Sequence, residues 1–336
     1  MVSASLVSVL LPVFQAEKTL DATLRSVARQ THPRWHCVIV DDGSTDGSAK
    51  CAGDFASRDR RFEVLRRPHR GLVATLNDGL TRCHGRYVAR IDADDLMHRR
   101  RLERQVRALD SAPQLAGVGC HVRLFPRATL QDGLRSYERW LCAIDSAERV
   151  RRELFIESPL AHPTWLIRRE IFEAFPYRDA GWPEDYDLLQ RLHAAGEQLG
   201  VVPERLVSWR EHPGRLTRTG HAYRIGEFPR LKAAFLAETF LASHETYVLW
   251  GYGHTGRALR RALLEYDRRP SRIVEVHPGR LGQRIHGAPV IPPADLVRHR
   301  GEPVVASVAG EGPRSEVRGA LDRMGFVELR DFVCAA

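Results

Sequence analysis

The sequence predicts a parallel, three-layered α/β protein that carries a second, smaller α/β unit towards its C-terminus. Three observations predict it. Short apolar runs alternate with amphipathic helical segments between residues 6 and 120. Turn-forming and acidic residues follow successive runs, as they do where the strands of such a sheet end together. A fresh series of strand, glycine turn and helix starts at Thr246.

The elements follow in order. The run "LVSVLL" (6–11) is the first strand. The segment around it, "MVSASLVSVLLPVF", is apolar but short and has no basic leader, so it reads as a strand and not as a signal peptide. In "AEKTLDATLRSVARQ", Leu20, Leu24, Val27 and Ala28 share one helical face. "WHCVIV" (35–40) is a buried strand and "FEVL" (62–65) a shorter one. Leu72, Leu76 and Leu80 stand at helical spacing before the strand "RYVARI" (86–91). Leu102, Val106 and Leu109 mark a further helix, and "LAGVGC" (115–120) closes the series.

From about 121 to 245 the pattern is less regular. "HPTWLIRREIFEAF" (162–175) reads as a short strand leading into a helix. "PEDYDLLQRLHAAG" (183–196) is a helix with an acidic first turn and Gly196 as its stop. A mainly helical connector, about 221–243, is expected to be interrupted near Pro229. These readings divide the chain into domains 1–243 and 244–336.

Composition bounds the function. A chain of 336 residues has room for two domains. The net charge of +9, carried mostly by Arg, suits an anionic partner such as a nucleotide, a phosphate-bearing lipid or a membrane surface. A compositional bias towards Arg is the alternative. There is no long basic block with interleaved aromatics, so nucleic acid is not expected as a partner. None of the six cysteines has zinc or redox spacing, which fits reduced, buried thiols in a cytoplasmic protein. No segment approaches the length of a membrane span.

The stretch "RYVARIDADDL" crowds Asp92, Asp94 and Asp95 behind a strand. Like charges repel, so either the turn is well solvated or something positive sits there. The strand ends favour the second reading. Pro12 and Phe14 follow the first strand, Asp41 and Asp42 the second, and the acidic cluster follows "RYVARI". All fall on one edge of a parallel sheet, where ligands bind. Asp92 and Asp94, at i and i+2 of an extended segment, point the same way. A hard divalent cation, Mg²⁺ or Mn²⁺, would bridge them to a phosphate.

Several motifs in one order now resemble glycosyltransferase family 2, the inverting nucleotide-sugar transferases of the GT-A fold. They are "LPVFQAEKTLDATLRSVARQT", "VIVDDGSTDGS", "GLVATLNDGL", "GRYVARIDADD", "LAHPTWLIRREIF", "PEDYDLLQRL" and "WREHPGRLTR", over about residues 5–220. The resemblance implies a mixed, mostly parallel sheet and a donor site. Pro12 and Phe14 would line the base pocket, and Glu17 would lie near the donor. Asp42, with Asp41 beside it, would read the base. Asp92 would contact ribose or sugar, and Asp94 would ligate Mn²⁺ or Mg²⁺. His212 matches a loop histidine over the diphosphate and is a candidate third ligand, or a surface histidine. An Asn is common in the family where this chain has Gln15, which puts one contact of the first loop in doubt.

On the acceptor side, Glu184-Asp185 resembles the family's acidic pair, in which the Asp is the base. The same residues would stabilise a helix N-terminus with no catalytic role. His162 would line the acceptor site or be a buried, hydrogen-bonded histidine. Arg210, Arg215 and Arg218 would pair with phosphate or stand exposed. The reading implied is a cytoplasmic, metal-dependent, inverting transferase. It would move a sugar, most simply from UDP, to a glycan or lipid-linked glycan in bacterial surface polysaccharide assembly, in peripheral contact with the membrane.

The C-terminal series "YVLWGYGHTGRALRRALL" places Gly251, Gly253 and Gly256 between a strand and a helix, and Glu275 ends the next strand. That is a dinucleotide-binding pattern in the right context, over half the usual length. It resembles the small Rossmann-like domains of sugar acyltransferases and polysaccharide-biosynthesis enzymes. A nucleotide site and a glycine turn kept for packing are both open. A nucleotide-sugar-modifying oxidoreductase and a non-catalytic nucleotide-sugar-binding protein are the alternatives for the whole chain. The first leaves the N-terminal carboxylates unexplained.

Overall fold

Parallel pairing carries the first four strands of a large sheet to a common edge. The computed structural model describes residues 5–224 and 226–336. Four residues of the N-terminal apolar segment and Ile225 of the connector lie outside these. The chain forms two compact units, one of Met1–Arg151, Pro159–Asp179 and Ala195–Arg215, the other of Arg152–Ser158, Ala180–Ala194 and Leu216–Ala336.

The first unit holds strands β1 (Val7–Val13), β2 (Trp35–Asp41), β3 (Phe62–Arg66), β4 (Tyr87–Arg90), β5 (Leu96–Met97), β6 (Leu115–Phe125), β7 (Leu166–Arg168) and β8 (Gln198–Arg210). Their order is β3-β2-β1-β4-β7-β6-β8-β5. Strands β1 to β4 are parallel, while β7 runs antiparallel to both β4 and β6. Helices α1 (Leu20–Ala28), α2 (Ser48–Arg58), α3 (Leu72–Leu80) and α4 (Arg101–Ser111) connect the early strands. Leu20, Leu24 and Val27 are buried, as their spacing predicts. They join the core beside Val7, Val9, Leu11 and Ile39.

The sheet is therefore mixed, and longer than the apolar runs suggest. Strand β6 continues to Phe125, and β8 pairs with it in parallel from Gln198. The sequence reading contains no β8, because "QLGVVPERLVSWR" carries Pro203 and charges through its middle. The register of β6 against β8 shifts between Cys120 and Val122, where Pro203, Glu204 and Leu206 of β8 are left without a β6 partner. Pro12 lies inside β1 without cost. Strand β4 pairs only with Val7–Leu10, so no ladder bond is asked of the missing Pro12 N–H on that side.

Helices α5 (Asp132–Ala143), α6 (Ala147–Glu153), α7 (Arg169–Ala174), α8 (Glu184–Ala194), α9 (Leu216–Thr219) and α10 (Glu227–Glu238) follow. Gly196, just past α8, has φ 83°, the left-handed conformation of a helix stop. Pro229 does not interrupt the connector. It falls in the first turn of α10, where its missing N–H has no intrahelical partner to lose.

The second unit has its own six-stranded sheet: β9 (Thr246–Trp250), β10 (Arg269–Val274), β11 (Arg284–Ile285), β12 (Ala288–Ile291), β13 (Val304–Ala306) and β14 (Phe332–Cys334). The order is β11-β12-β10-β9-β13-β14, parallel except for the β11–β12 hairpin. Helix α11 (His254–Leu264) follows β9, and α12 (Glu311–Arg323) follows β13. The segment Arg152–Ser158 is tied to this unit by ion pairs of Glu153 with Arg318 at 2.7 Å and of Arg152 with Glu328 at 2.6 Å. Lys232 adds a bond to the Ile156 carbonyl at 2.6 Å.

Candidate active site

Three loops meet at the carboxyl edge of β1, β2 and β4. The first begins at Phe14, whose ring is 48% exposed and stacks on His69 with centroids 4.2 Å apart. Gln15 takes φ 51°, and its side-chain oxygen accepts the Thr45 N–H at 3.0 Å. Gln15 thus holds the "DDGSTDGS" loop in place, which answers the doubt over that position. Glu17 is exposed, and its backbone N–H donates to Asp46 at 3.0 Å.

The second loop carries two buried carboxylates. Asp41 accepts the Ser44 N–H at 3.1 Å and lies 3.6 Å from the Arg66 guanidinium. Asp42 accepts the backbone N–H groups of Arg70 at 3.0 Å and Gly71 at 2.9 Å. Arg67 stands 3.2 Å from one of its oxygens and His69 2.8 Å from the other. Two backbone N–H groups and two cationic side chains of the chain therefore surround the Asp42 carboxylate, and His69 Nδ1 also lies 3.2 Å from the Asp42 main-chain carbonyl. Of these donors, His69 is the more exposed side chain, at 55% against 6% for Arg67.

The third loop is the acidic cluster. One carboxylate oxygen each from Asp92, Asp94 and Asp95 lie within 4.8 Å of one another. They converge through a tight turn closed by the Asp95 N–H on the Asp92 carbonyl, and not through the extended spacing that the sequence suggests. Thr19, just before α1, and Thr23 within it both donate to the Ala93 carbonyl at 3.0 Å and fix this turn. Asp92 is ion-paired with the buried Arg90. Asp94 meets His212 Nε2 at 3.0 Å and its carbonyl accepts from Arg210 Nε at 2.8 Å. Asp95 is fully buried. One oxygen accepts the Arg210 N–H at 2.6 Å and the other has no hydrogen-bond partner. The antiparallel pairing of β5 with β8 brings residues 210–212 here.

Burial, followed by the charge of Asp92, raises the Asp94 carboxyl above its usual range, against His212. Burial and then Asp92 and Asp94 push Asp95 well above it. Three carboxylates with one orphaned buried oxygen are a hard, oxygen-rich donor set, and such a set fits Mg²⁺ or Mn²⁺.

Two supporting residues escaped the sequence reading. Arg90 sits inside an apolar run, where a charge needs a partner, and that was the available signal. Arg101, fully buried, donates to the carbonyls of Arg90 at 2.9 Å and Trp165 at 3.1 Å and so braces the end of β4. Burial lowers its pKa to about 10.

The acceptor-side residues belong to different units. His162, in the first unit, is 6% exposed and shares a 2.7 Å hydrogen bond with the Tyr177 hydroxyl. Burial, with Arg90 adding to it, holds its ring neutral. Glu184 and Asp185 open α8 in the second unit. Glu184 is buried and accepts from the Tyr223 hydroxyl at 2.9 Å. Asp185 is half-buried and accepts the Tyr186 N–H at 2.8 Å. Arg215 pairs with Glu211 at 2.7 Å over the Trp209 ring, and Arg218 is exposed.

A family model, glycosyl transferase family 2, matches residues 8–175. EpsE of Bacillus subtilis (strain 168), named as a glycosyltransferase, is 29% identical over 225 residues, 65% of this chain and 78% of EpsE. Among solved structures, S. aureus TarS 1-349 in complex with UDP-GlcNAc superposes with a TM-score of 0.57 at 17% identity, over 77% of this chain and 71% of TarS. The mannosyltransferase PcManGT from Pyrobaculum calidifontis, in complex with GDP-Man and Mn²⁺, gives 0.52 at 19% identity, over 79% and 70% of the two chains. At these identities the likeness carries the fold, the GT-A fold that the motifs imply. With the family model matched over half its length, the chain belongs to glycosyl transferase family 2 and is a glycosyltransferase.

Proposed function

We propose that this glycosyltransferase moves a sugar from a nucleoside diphosphate, UDP in our reading, to a hydroxyl of a glycan or lipid-linked glycan in bacterial surface polysaccharide assembly. One observation carries the proposal: the acidic cluster of Asp92, Asp94 and Asp95 at the carboxyl edge of the parallel strands, in which buried Asp95 keeps one oxygen without a partner. The complexes of TarS with UDP-GlcNAc and of PcManGT with GDP-Man and Mn²⁺ support a nucleotide-sugar donor and a metal.

Mn²⁺ or Mg²⁺, held by Asp94 with Asp92, Asp95 and His212 around it, would supply positive charge against the departing diphosphate. The chain's own residues do the rest. Phe14 offers its exposed ring to the base, beside Pro12, with Glu17 at the rim. Asp42, backed by Asp41, reads the base by exchanging one of its present donors, and the exposed His69 is the one to leave. Asp92 receives a hydroxyl of the ribose or sugar. Asp185 takes the proton of the attacking hydroxyl, and Glu184 steadies the helix that presents it. A single displacement inverts the anomeric centre. We place the chain in the cytoplasm, at the inner face of the membrane, where its charge of +9 suits anionic lipid or a diphosphate-linked acceptor. Among the described residues no helix is long and apolar enough to cross a membrane.

A thermal-stability screen of UDP- and GDP-sugars with Mn²⁺ and with EDTA tests this reading. One donor should stabilise the chain only with metal, and Asp94→Asn should remove most of that gain. Equal stabilisation in EDTA by every nucleotide would overturn the metal role.

A further inference from the structure

The second unit has a cavity of about 480 Å³ at the carboxyl ends of β9, β10 and β13. Its strand order reverses beside β9, since β10 and β12 lie to one side and β13 and β14 to the other. In an open parallel sheet that reversal leaves a crevice for a ligand. The N-terminus of α11 opens into this cavity. Its cap residue is Gly253, and no side chain caps its free N–H groups.

The three glycines of the turn are not equivalent. Gly251 has φ 96°, and a Cβ there would stand 2.6 Å from Val308. A Cβ on Gly256 would collide with the Gly251 carbonyl. Both are demanded by the turn itself. Gly253 is not. Its φ is −77°, open to any residue, and a Cβ would meet nothing within 4 Å. Packing gives no reason for a glycine there. A ligand that must approach the backbone closely does.

A second observation points the same way. Ser307, on the cavity wall, is 2% exposed, and its hydroxyl has no hydrogen-bond partner. A buried hydroxyl left unpaired is costly unless a ligand completes it. Across the cavity, Glu275 accepts the Val276 N–H at 3.0 Å and pairs with Arg280 at 2.8 Å. Its carboxylate keeps lone pairs for a vicinal diol. Trp250, Val308 and Pro313 give the cavity an apolar wall that a bare anion would not use.

We propose that this cavity binds a nucleotide, with its phosphate on the N-terminus of α11 over Gly253, its ribose hydroxyls on Glu275 and a polar contact to Ser307. The site is separate from the donor site on the first sheet and rests on none of the residues assigned there.

Calorimetry on the full chain in EDTA, with UDP, ADP and inorganic phosphate as probes, tests the proposal. One nucleotide should bind with unit stoichiometry and inorganic phosphate far more weakly. Gly253→Val should weaken that binding about tenfold or more, since its side chain projects where the phosphate sits. Its melting temperature should match the wild type, because the position is open. Ser307→Ala, which removes only the hydroxyl, should weaken binding several-fold and covers the case of a misfolded valine variant. The proposal falls if neither nucleotide binds, if phosphate binds as tightly as the nucleotides, or if a well-folded Gly253→Val binds like wild type. It also falls if binding is lost in Phe14→Ala and kept in Gly253→Val, which assigns the nucleotide to the first sheet.

Discussion

Replacing Asp95 by Asn should stabilise the chain in EDTA and remove its stabilisation by Mn²⁺. The oxygens of Asp92, Asp94 and Asp95 come within 4.8 Å. At that separation two full negative charges repel by about 3 kcal/mol for an effective dielectric constant of about 20. Asp95 faces two such neighbours, and protonation relieves part of the cost, as its raised pKa records. A residual penalty of about 1–3 kcal/mol follows for a carboxylate buried beside two others. Asparagine retains an oxygen for the Arg210 N–H and puts a neutral amide in place of the orphaned oxygen. For a unit of about 200 residues, about 2 kcal/mol corresponds to about 4–8 °C in melting temperature. With Mn²⁺ at a hundred times its dissociation constant the wild type gains about 2.7 kcal/mol. The variant should lose most of that gain. Scanning calorimetry in EDTA and in Mn²⁺ should therefore find the two proteins in opposite order. If the variant melts below wild type in EDTA, Asp95 serves the Arg210 backbone and no cation. If both gain equally from Mn²⁺, Asp95 is not a ligand.

Asp185→Asn should leave donor binding near wild type while transfer falls about a hundredfold or more, and a normal rate would reassign Asp185 to the helix terminus. His69→Ala should tighten UDP binding about two- to tenfold, because His69 occupies both a face of Phe14 and an oxygen of Asp42. Weaker binding would make His69 part of the platform. Burial pushes the thiols of Cys83 and Cys334 up to about 12 and Cys120 to about 11. The folded chain then keeps protons that the unfolded chain releases near pH 9, so stability should fall as pH rises from about 9 to 11. Each thiol contributes about 1.4 kcal/mol per pH unit. Lys232, lowered to about 8 by burial, acts in the opposite sense below about pH 10.4 and does not offset three thiols. Urea midpoints that stay level between pH 8 and 10.5 would contradict this.

Much of the first unit is legible along the chain, and the reason is local. Strands β1, β2 and β4 are apolar runs buried on both faces, and Leu20, Leu24 and Val27 repeat at the helical period. Parallel strands must end together, so "PVF", "DDG" and "DADD" could be assigned to one edge before any coordinate was known. The sequence by itself therefore determined the fold class, the edge at which these segments gather and the identity of the acidic residues. Tertiary structure decided what no local period records. It placed the charged strand β8 inside the sheet, because pairing with β6 and β5 satisfies its backbone whatever its side chains. It grouped Arg152–Ser158 and the α8 segment with the C-terminal residues, where the ion pairs of Glu153 with Arg318 and of Arg152 with Glu328 span more than 160 positions. It left one Asp95 oxygen without a partner while giving Asp42 two backbone donors and two cationic neighbours. Two aspartates that look alike in sequence thus differ because burial and hydrogen bonding are set by residues far away along the chain.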